Sequence, residues 1–253
     1  MQNISVKILN PEAVKDAEKM MVFCARLTQR GHTIKDMDGL QELQNRPYRD
    51  EVVKAMTMLP HPTIQKFGVI NIAVVGASRR FLAQITRHQN EVKFMSASLQ
   101  YSDYSGSADF CVPYAITETG QAEQYLKICE RQMNKYEEYA RSCDNDSAGY
   151  LAPQCLRNIL IISATPFQLK HMISQRTCRR NTTETRYVML KVWEELYNLN
   201  PIMFDMKTSG ADCQRGGCRE GKMCCGKPVG KVDKPTDILK EDFPLFYEEQ
   251  AAA

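Results

Sequence analysis

The sequence predicts an α+β fold: one large domain over residues 1–206 and a Cys-rich, basic C-terminal tail over 207–253. Three observations carry this. Runs with helical periodicity outnumber strand-like runs and do not alternate strictly with them, which disfavours a doubly wound parallel sheet. Hydrophobic residues make up 43% of the 253, enough for a proper core without disulfides or metal. From about residue 207 the texture changes to the Gly-, Lys- and Cys-rich run KTSGADCQRGGCREGKMCCGKPVGKVDKP, which reads as loop or tail. There are no internal repeats.

The elements follow in order. SVKIL (5–9) reads as a short opening strand. EAVKDAEKMMVFCARL (12–27) has apolar residues at helical spacing. HTIKDMDGLQELQNRP reads as loop and short helix stopped by Pro47, and DEVVKAMTML as a helix ended by Pro60 and Pro62. KFGVINIAVVG (66–76) is rich in β-branched residues and ends at a glycine, so a strand is expected. SRRFLAQITRHQ carries Phe81, Leu82 and Ile85 at helical spacing, which gathers Gln84, Arg87 and His88 at one end of a helix. SADFCVPYAIT is expected as a strand broken by Pro113. EQYLKICERQMNKYEEYAR is an amphipathic helix with the stripe Leu126, Cys129, Met133, Tyr136 and Ala140. CLRNILIISATPFQLKHMISQR (155–176) is expected to be mostly helical, interrupted near Pro166, and ETRYVMLKVWEELYNL (184–199) to be a helix.

Several function classes lose support at once. No run of about 18 apolar residues exists, so no transmembrane helix is expected. MQNISVKILNPEAVK lacks the basic-then-apolar plan of a signal peptide, so a cytoplasmic protein with no membrane partner is expected. A net charge of +3 is too small to argue for a nucleic acid polymer. The ten cysteines read as reduced thiols in that compartment. No G-x-G-x-x-G, P-loop or G-x-S-x-G is present.

Three constellations could carry chemistry. The stretch TRHQNEVKFMSASLQYS (86–102) follows Gln84 with Arg87, His88, Gln89, Ser96, Ser98, Gln100 and Tyr101. A guanidinium fork with nearby hydroxyls and amides suits phosphate or a uracil carbonyl; solvated polar decoration of a helix end is the plainer reading. HMISQRTCRRNTTETR (171–186) spaces Arg176, Arg180 and Glu184 four apart. It is either a surface ion-pair ladder of little energetic weight or a cationic wall that binds an anion and polarises a carbonyl. Cys213, Cys218, Cys224 and Cys225 put four thiols within thirteen residues. They are candidates for zinc or an iron–sulfur cluster, although the spacing fits no standard C-x-x-C ribbon, and loose reduced thiols are the simpler expectation.

Together these residues resemble the flavin-dependent thymidylate synthases (ThyX). The family signature, R-H-R, seven residues, then S-x-R-Y, is similar to Arg87-His88-Gln89, one extra residue, then Ser98-Leu99-Gln100-Tyr101, with Gln84 three before it. His61 and Thr63 resemble the start of H-x-S-x-x-E-H, and Ala25-Arg26-Leu27-Thr28 resembles A-R-x-S. His171, Arg176, Cys178, Arg180, Glu184 and Arg186 follow the family's H-F-x-x-L-R-L-C-x-R-A-Q-W-E-I-R segment, and the Cys-rich run resembles the tail of some members. The resemblance spans about residues 5 to 228.

The resemblance implies a ThyX-like fold, with a central mixed or antiparallel sheet flanked by long helices in a homotetramer. It makes residues 1–206 the catalytic domain. The implied reaction is reductive methylation of dUMP to dTMP with FAD as cofactor and methylenetetrahydrofolate and NADPH as co-substrates. By the same resemblance Arg176 and Ser98 are catalytic; Gln84, Arg87, Ser96, Ser98, Leu99, Gln100 and Arg176 line dUMP; and Thr28, His61, Thr63, Arg87, His88, Gln89, His171 and Arg180 line FAD or folate. The sequence departs from the family pattern at Gln89 and Gln100, where arginines stand; at Lys66 and Ser96, where glutamates stand; at Gly149, where an arginine stands; and at Thr165-Pro166-Phe167, where N-A-R stands. Losing two phosphate-side arginines removes charge-assisted bonds of about 1.5–3 kcal/mol each. Methylation of another pyrimidine nucleotide such as UMP, or a catalytically silent nucleotide- or flavin-binding homologue, are the alternatives.

Overall fold

A computed structural model describes residues 1–230 and 232–247. The end of the expected tail, 248–253, and residue 231 lie outside the described residues. In chain order the elements are β1 (Ser5–Ile8), α1 (Glu12–Arg30), α2 (Met37–Asn45), α3 (Asp50–Met58), β2 (Ile70–Ser78), α4 (Arg79–Ile85) and β3 (Val92–Ser96). There follow α5 (Tyr114–Glu118), α6 (Ala122–Ser142), α7 (Asn145–Gly149), β4 (Arg157–Ala164), α8 (Pro166–Arg176), α9 (Thr183–Leu199), α10 (Met206–Ser209) and α11 (Pro235–Asp242). Among the described residues the strands form one sheet in the order β1-β2-β4-β3, with every pairing antiparallel. The class is α+β. No helix among the described residues is long and apolar enough to cross a membrane.

The sheet is covered on one face. Ile70, Ile72 and Val74 of β2 and Leu160 and Ile162 of β4 pack with Phe81 and Ile85 of α4, Leu169, Met172 and Ile173 of α8, and Val188, Val192 and Leu196 of α9. Helix α9 is buried on most of its circumference, as a helix at the centre of a core must be. Its Trp193 donates its indole N–H to the Phe204 carbonyl at 2.8 Å, so the buried ring leaves no orphan donor.

The opposite sheet face is open. The register places Val75 beside Ile159, and Ile161 beside both Ala73 and Met95, so these side chains share that face. Val75, Ile159 and Met95 are 44%, 50% and 73% exposed.

Four expectations change. Residues 157–164 are the strand β4, not helix: RNILIISA is one apolar run in which period 2 and period 3.6 cannot be told apart, and pairing on both sides decides it. The run after Gln89 carries the strand β3, which its polar residues concealed. SADFCVPYAIT forms only a single bridge, Phe110 to Leu156, and then the helix α5, with Pro113 at its N-cap. The strand expected over 66–76 begins at Ile70 and runs on to Ser78 through an irregularity at Gly76. That glycine has φ +86°, and a Cβ there would meet the Arg157 guanidinium at 2.7 Å.

The Cys-rich run itself is loop with short 3-10 turns. The chain beyond it returns to the core. Ile238, Leu239, Phe243 and Phe246 are buried with α9, and Tyr114, Tyr187, Phe243 and Phe246 meet edge to face at 4.9–5.3 Å. Asp242 anchors this segment through Arg186 at 2.8 Å and Arg179 at 2.9 Å, all three little exposed.

Candidate functional site

Helix α4 ends at Ile85, and the chain then turns so that His88 faces inward while Arg87 and Gln89 stay exposed. Helix α8 starts on Thr165, whose hydroxyl accepts the Gln168 N–H, and ends at Arg176. The two helix ends meet. Arg176 Nε donates to His88 Nε2 at 2.8 Å, and one terminal nitrogen of Arg176 donates to the Gln84 carbonyl at 3.1 Å. The His171 ring stands perpendicular to His88, with centroids 5.9 Å apart.

This geometry fixes a proton. Burial, then the Arg176 charge and His171, lower the pKa of His88 to about 4. His88 is therefore neutral at pH 7, and its Nε2 lone pair accepts from Arg176. Burial, and then repulsion from Arg87, lower the Arg176 pKa. Neither Arg87 nor Arg176 takes part in an ion pair among the described residues. A half-buried guanidinium is thus held by neutral acceptors, with its other amino group uncommitted among the described residues. Such a cation is suited to an anion or a carbonyl oxygen.

The other expected residues lie around this cluster or apart from it. Exposed His171 lines a cavity of about 350 Å³ with Pro62, Gln65, Phe167 and Lys170. Thr63 sits on the 3-10 turn 62–66 that borders this cavity, and His61 immediately precedes the turn. Thr28 lies on the last turns of α1, and its hydroxyl donates to the Ala25 carbonyl at 2.8 Å. Ser96 ends β3. Ser98 Oγ accepts the backbone N–H of Gln100 at 3.1 Å and of Tyr101 at 3.4 Å, so within one chain it braces a turn and has no bond to Arg176. Leu99 packs on Gly149, where an added Cβ would approach it to 3.3 Å; this is one of the family's arginine positions. Arg180 is exposed and pairs with Glu220 at 3.2 Å. Cys213, Cys218, Cys224 and Cys225 line one cavity together with Cys178. A larger cavity, about 700 Å³ beside α2, contains none of the expected residues.

Three departures from the family pattern meet in one place. Lys66 pairs with Glu91 at 2.6 Å, the Thr165 hydroxyl donates to the same carboxylate at 2.9 Å, and the Lys66 ammonium lies 5.1 Å from the Phe167 ring. Partial burial raises the Glu91 pKa, but the hydrogen bonds from Lys66 and Thr165 outweigh it and hold the carboxyl below the usual range. Glu91, at φ +54°, gave no signal in the sequence. Lys170 was also missed. It is buried on α8, bonds the Gln65 amide oxygen at 2.9 Å, and burial lowers its pKa to about 7 against the weaker pull of Asp205. A lone lysine between Leu169 and His171 looks like any surface charge until the fold buries it.

The family model described as thymidylate synthase complementing protein matches residues 11–202. Among curated proteins, the flavin-dependent thymidylate synthase of Thermococcus onnurineus is 26% identical over 171 residues, covering 64% of this chain and 69% of the relative. That of Pyrococcus abyssi is 25% identical over 171 residues, covering 64% and 70%. Among solved structures, the UMP/dUMP methylase PolB of Streptomyces cacaoi, bound with 5-Br dUMP, superposes with a TM-score of 0.64 at 15% identity, over 83% of this chain and 96% of that one. ThyX of Helicobacter pylori with FAD and dUMP gives 0.61 at 13% identity, over 81% and 99%. The class is thus an enzyme, a methyltransferase on the α+β fold described above. The chain belongs to the flavin-dependent thymidylate synthase family.

Proposed function

We propose that this chain binds FAD and catalyses the reductive methylation of dUMP to dTMP, with methylenetetrahydrofolate and NADPH as co-substrates, as a cytoplasmic homotetramer. The observation that carries the reading is Arg176, half-buried, held by His88 and the Gln84 carbonyl, and without a carboxylate partner among the described residues. Uracil C5 is a poor nucleophile unless negative charge can build on the ring oxygens. A guanidinium fixed at such an oxygen stabilises that charge as it forms, and removing one donor of this kind costs about 3–4 kcal/mol. Neutral His88 sets the angle of the fork without cancelling its charge. The exposed cation Arg87 and the amides of Gln84 and Gln100 are disposed for the nucleotide, with Ser96, Ser98 and Leu99 bordering it.

The residues present fit a flavin: His171, Thr63 and His61 lie on or beside an accessible cavity, next to a cationic cluster that lacks counter-charge among the described residues. Thr28, Arg87, His88, Gln89 and Arg180 complete the proposed flavin and folate side. Bound reduced FAD would supply the hydride and methylenetetrahydrofolate the carbon, so the chain needs no cysteine nucleophile. The open sheet face supports the tetramer, because Val75, Met95 and Ile159 form an apolar patch that a second copy would cover. Ser98 and Gln100, separate from Arg176 within one chain, then have a route into a site shared between subunits.

A second reading, methylation of a related pyrimidine nucleotide such as UMP, is favoured by Gln89 and Gln100 standing where the family carries arginine. One experiment tests both. The purified protein is reconstituted with FAD and incubated with NADPH, methylenetetrahydrofolate and a panel of pyrimidine nucleotides, and products are read by mass. A methylated dUMP supports the first reading, and a methylated product from another nucleotide alone supports the second. A colourless protein that rejects FAD and yields no product makes it a silent homologue.

A further inference from the structure

Helix α1, helix α3 and the 46–49 connection enclose a cavity of about 360 Å³, within the range of about 300–1,000 Å³ typical of small-molecule sites. Four guanidinium groups stand in its wall, those of Arg26, Arg30, Arg46 and Arg49, and no Asp or Glu among the described residues lines it. Arg26, Arg30 and Arg46 take part in no ion pair among the described residues; Arg49 meets only Glu51, at 4.0 Å, with both side chains mostly exposed. The Glu18 carboxylate is already taken up by the Tyr48 hydroxyl at 2.9 Å and by the Asn200 amide. Arg26 donates to the Arg46 carbonyl at 2.5 Å and the Pro47 carbonyl at 2.8 Å, and its guanidinium lies 5.8 Å from the Tyr48 ring, so the connection is pinned to α1. Val22, Val52 and Met56 give the cavity an apolar side. A second cavity, the one of about 700 Å³ beside α2, shares Arg30, Arg46 and Pro47 with it and carries Glu42 in its wall.

Apolar side chains and a phenol ring beside uncompensated guanidinium groups suit a heterocycle that carries phosphate. We propose that this groove holds the 2′-phosphoadenosine end of the NADPH that reduces the flavin, an inference that rests on the function proposed above. The division of ligands supports it. In that reading dUMP takes the Arg176 cluster, folate must bring its carbon to the same base, and flavin takes the cavity at His171. Only the nicotinamide of NADPH has to reach the flavin, so its adenosine half is free to anchor outside the catalytic cleft. Thr28, on the proposed flavin side, lies on the same last turns of α1 as Arg26 and Arg30.

The arginines divide the work. Arg26 is committed to the two carbonyls and shapes the groove. Arg30 and Arg46 are exposed, border both cavities and are the forks that meet a phosphate dianion. The adenine lies against Val22, Val52, Met56 and the Tyr48 ring. NADH, which has a hydroxyl in place of the 2′-phosphate, leaves Arg30 and Arg46 unneutralised, so the groove discriminates between the two donors.

The probe is 2′,5′-ADP, titrated by calorimetry into the purified full-length protein. Binding that weakens as salt rises is expected, with 5′-AMP at least about tenfold weaker and Arg30→Gln combined with Arg46→Gln losing at least about tenfold in affinity. Arg131→Gln combined with Arg141→Gln removes the same charge from exposed positions of α6 and should change little. In turnover the Arg30/Arg46 variant should raise KM for NADPH about tenfold or more, with kcat and FAD affinity kept. Four results would overturn the proposal: equal affinity for 5′-AMP, probe binding that the Arg30/Arg46 variant leaves intact, triglutamate bound more tightly than the probe (which assigns the groove to a folate tail), or a loss of FAD affinity in place of probe affinity. The titration needs no turnover, so the two readings fail separately. A protein that binds the probe as expected and methylates nothing supports the groove and contradicts the proposed reaction; one that methylates dUMP equally well with NADH and NADPH does the reverse.

Discussion

Replacing His88 with phenylalanine removes the acceptor that orients Arg176 while keeping a ring in the same buried position. The bond lost is charged donor to neutral acceptor at 2.8 Å, a class worth about 1.5–3 kcal/mol. Packing of the new ring offsets part of it, so a net loss near 1–2 kcal/mol at neutral pH is expected. The acid side carries the sharper test. The folded pKa of His88 is lowered to about 4 from 6.5. Between those values the unfolded chain binds the proton and the folded chain does not, so parent stability falls as pH falls through that window. From pH about 7.5 to about 5.5 the His88 contribution lost is about 1.3 kcal/mol. His88→Phe lacks this loss, so the gap between parent and variant should narrow by that amount at the lower pH. Urea denaturation at both pH values measures it. His88→Gln, which keeps an acceptor, should recover part of the stability at neutral pH. Loosening Arg176 should also lower kcat/KM for the nucleotide by about 10- to 100-fold. A parent-to-variant gap that is the same at both pH values would refute the assignment of a neutral, buried His88.

Three further outcomes are expected. Met95→Asp combined with Ile159→Asp should convert a tetramer to smaller species by light scattering, because charge on the open sheet face opposes its burial; an unchanged mass would place the interface elsewhere. Asp242→Ala leaves Arg186 and Arg179 without their shared carboxylate, which should cost about 3–5 kcal/mol by denaturation and expose the 210–234 segment to proteolysis. Lys170 has a folded pKa of about 7 against 10.5, so stability should rise with pH between those values, by at most about 1.4 kcal/mol per unit; Lys170→Met should lose that rise, and a parallel pH profile would contradict it.

The legible parts of the sequence were those where one period dominates. α1, α6 and α9 were visible because their apolar stripes repeat at helical spacing over several turns. β4 was not, because a central strand buried on one face and half-covered on the other shows an unbroken apolar run. β3 hid behind Lys93 and Ser96, polar residues that a sheet edge tolerates. The neighbourhood of Arg176, His88 and Gln84 could be anticipated only through family resemblance, since 88 residues separate the first two in the chain. The Lys66–Glu91–Thr165 contact and buried Lys170 needed the fold itself: charge and burial are set by partners distant in sequence.

In the proposed function, Arg176 supplies the charge that lets uracil react. The most direct measurement is nucleotide methylation by Arg176→Ala, with FAD binding followed by absorbance in the same sample. Loss of one such donor, about 3–4 kcal/mol, predicts a fall of roughly a hundredfold or more with flavin still bound. Arg176→Lys should restore only part, because a point charge cannot reproduce the fork. Methylation by Arg176→Ala at near the parent rate would contradict the account.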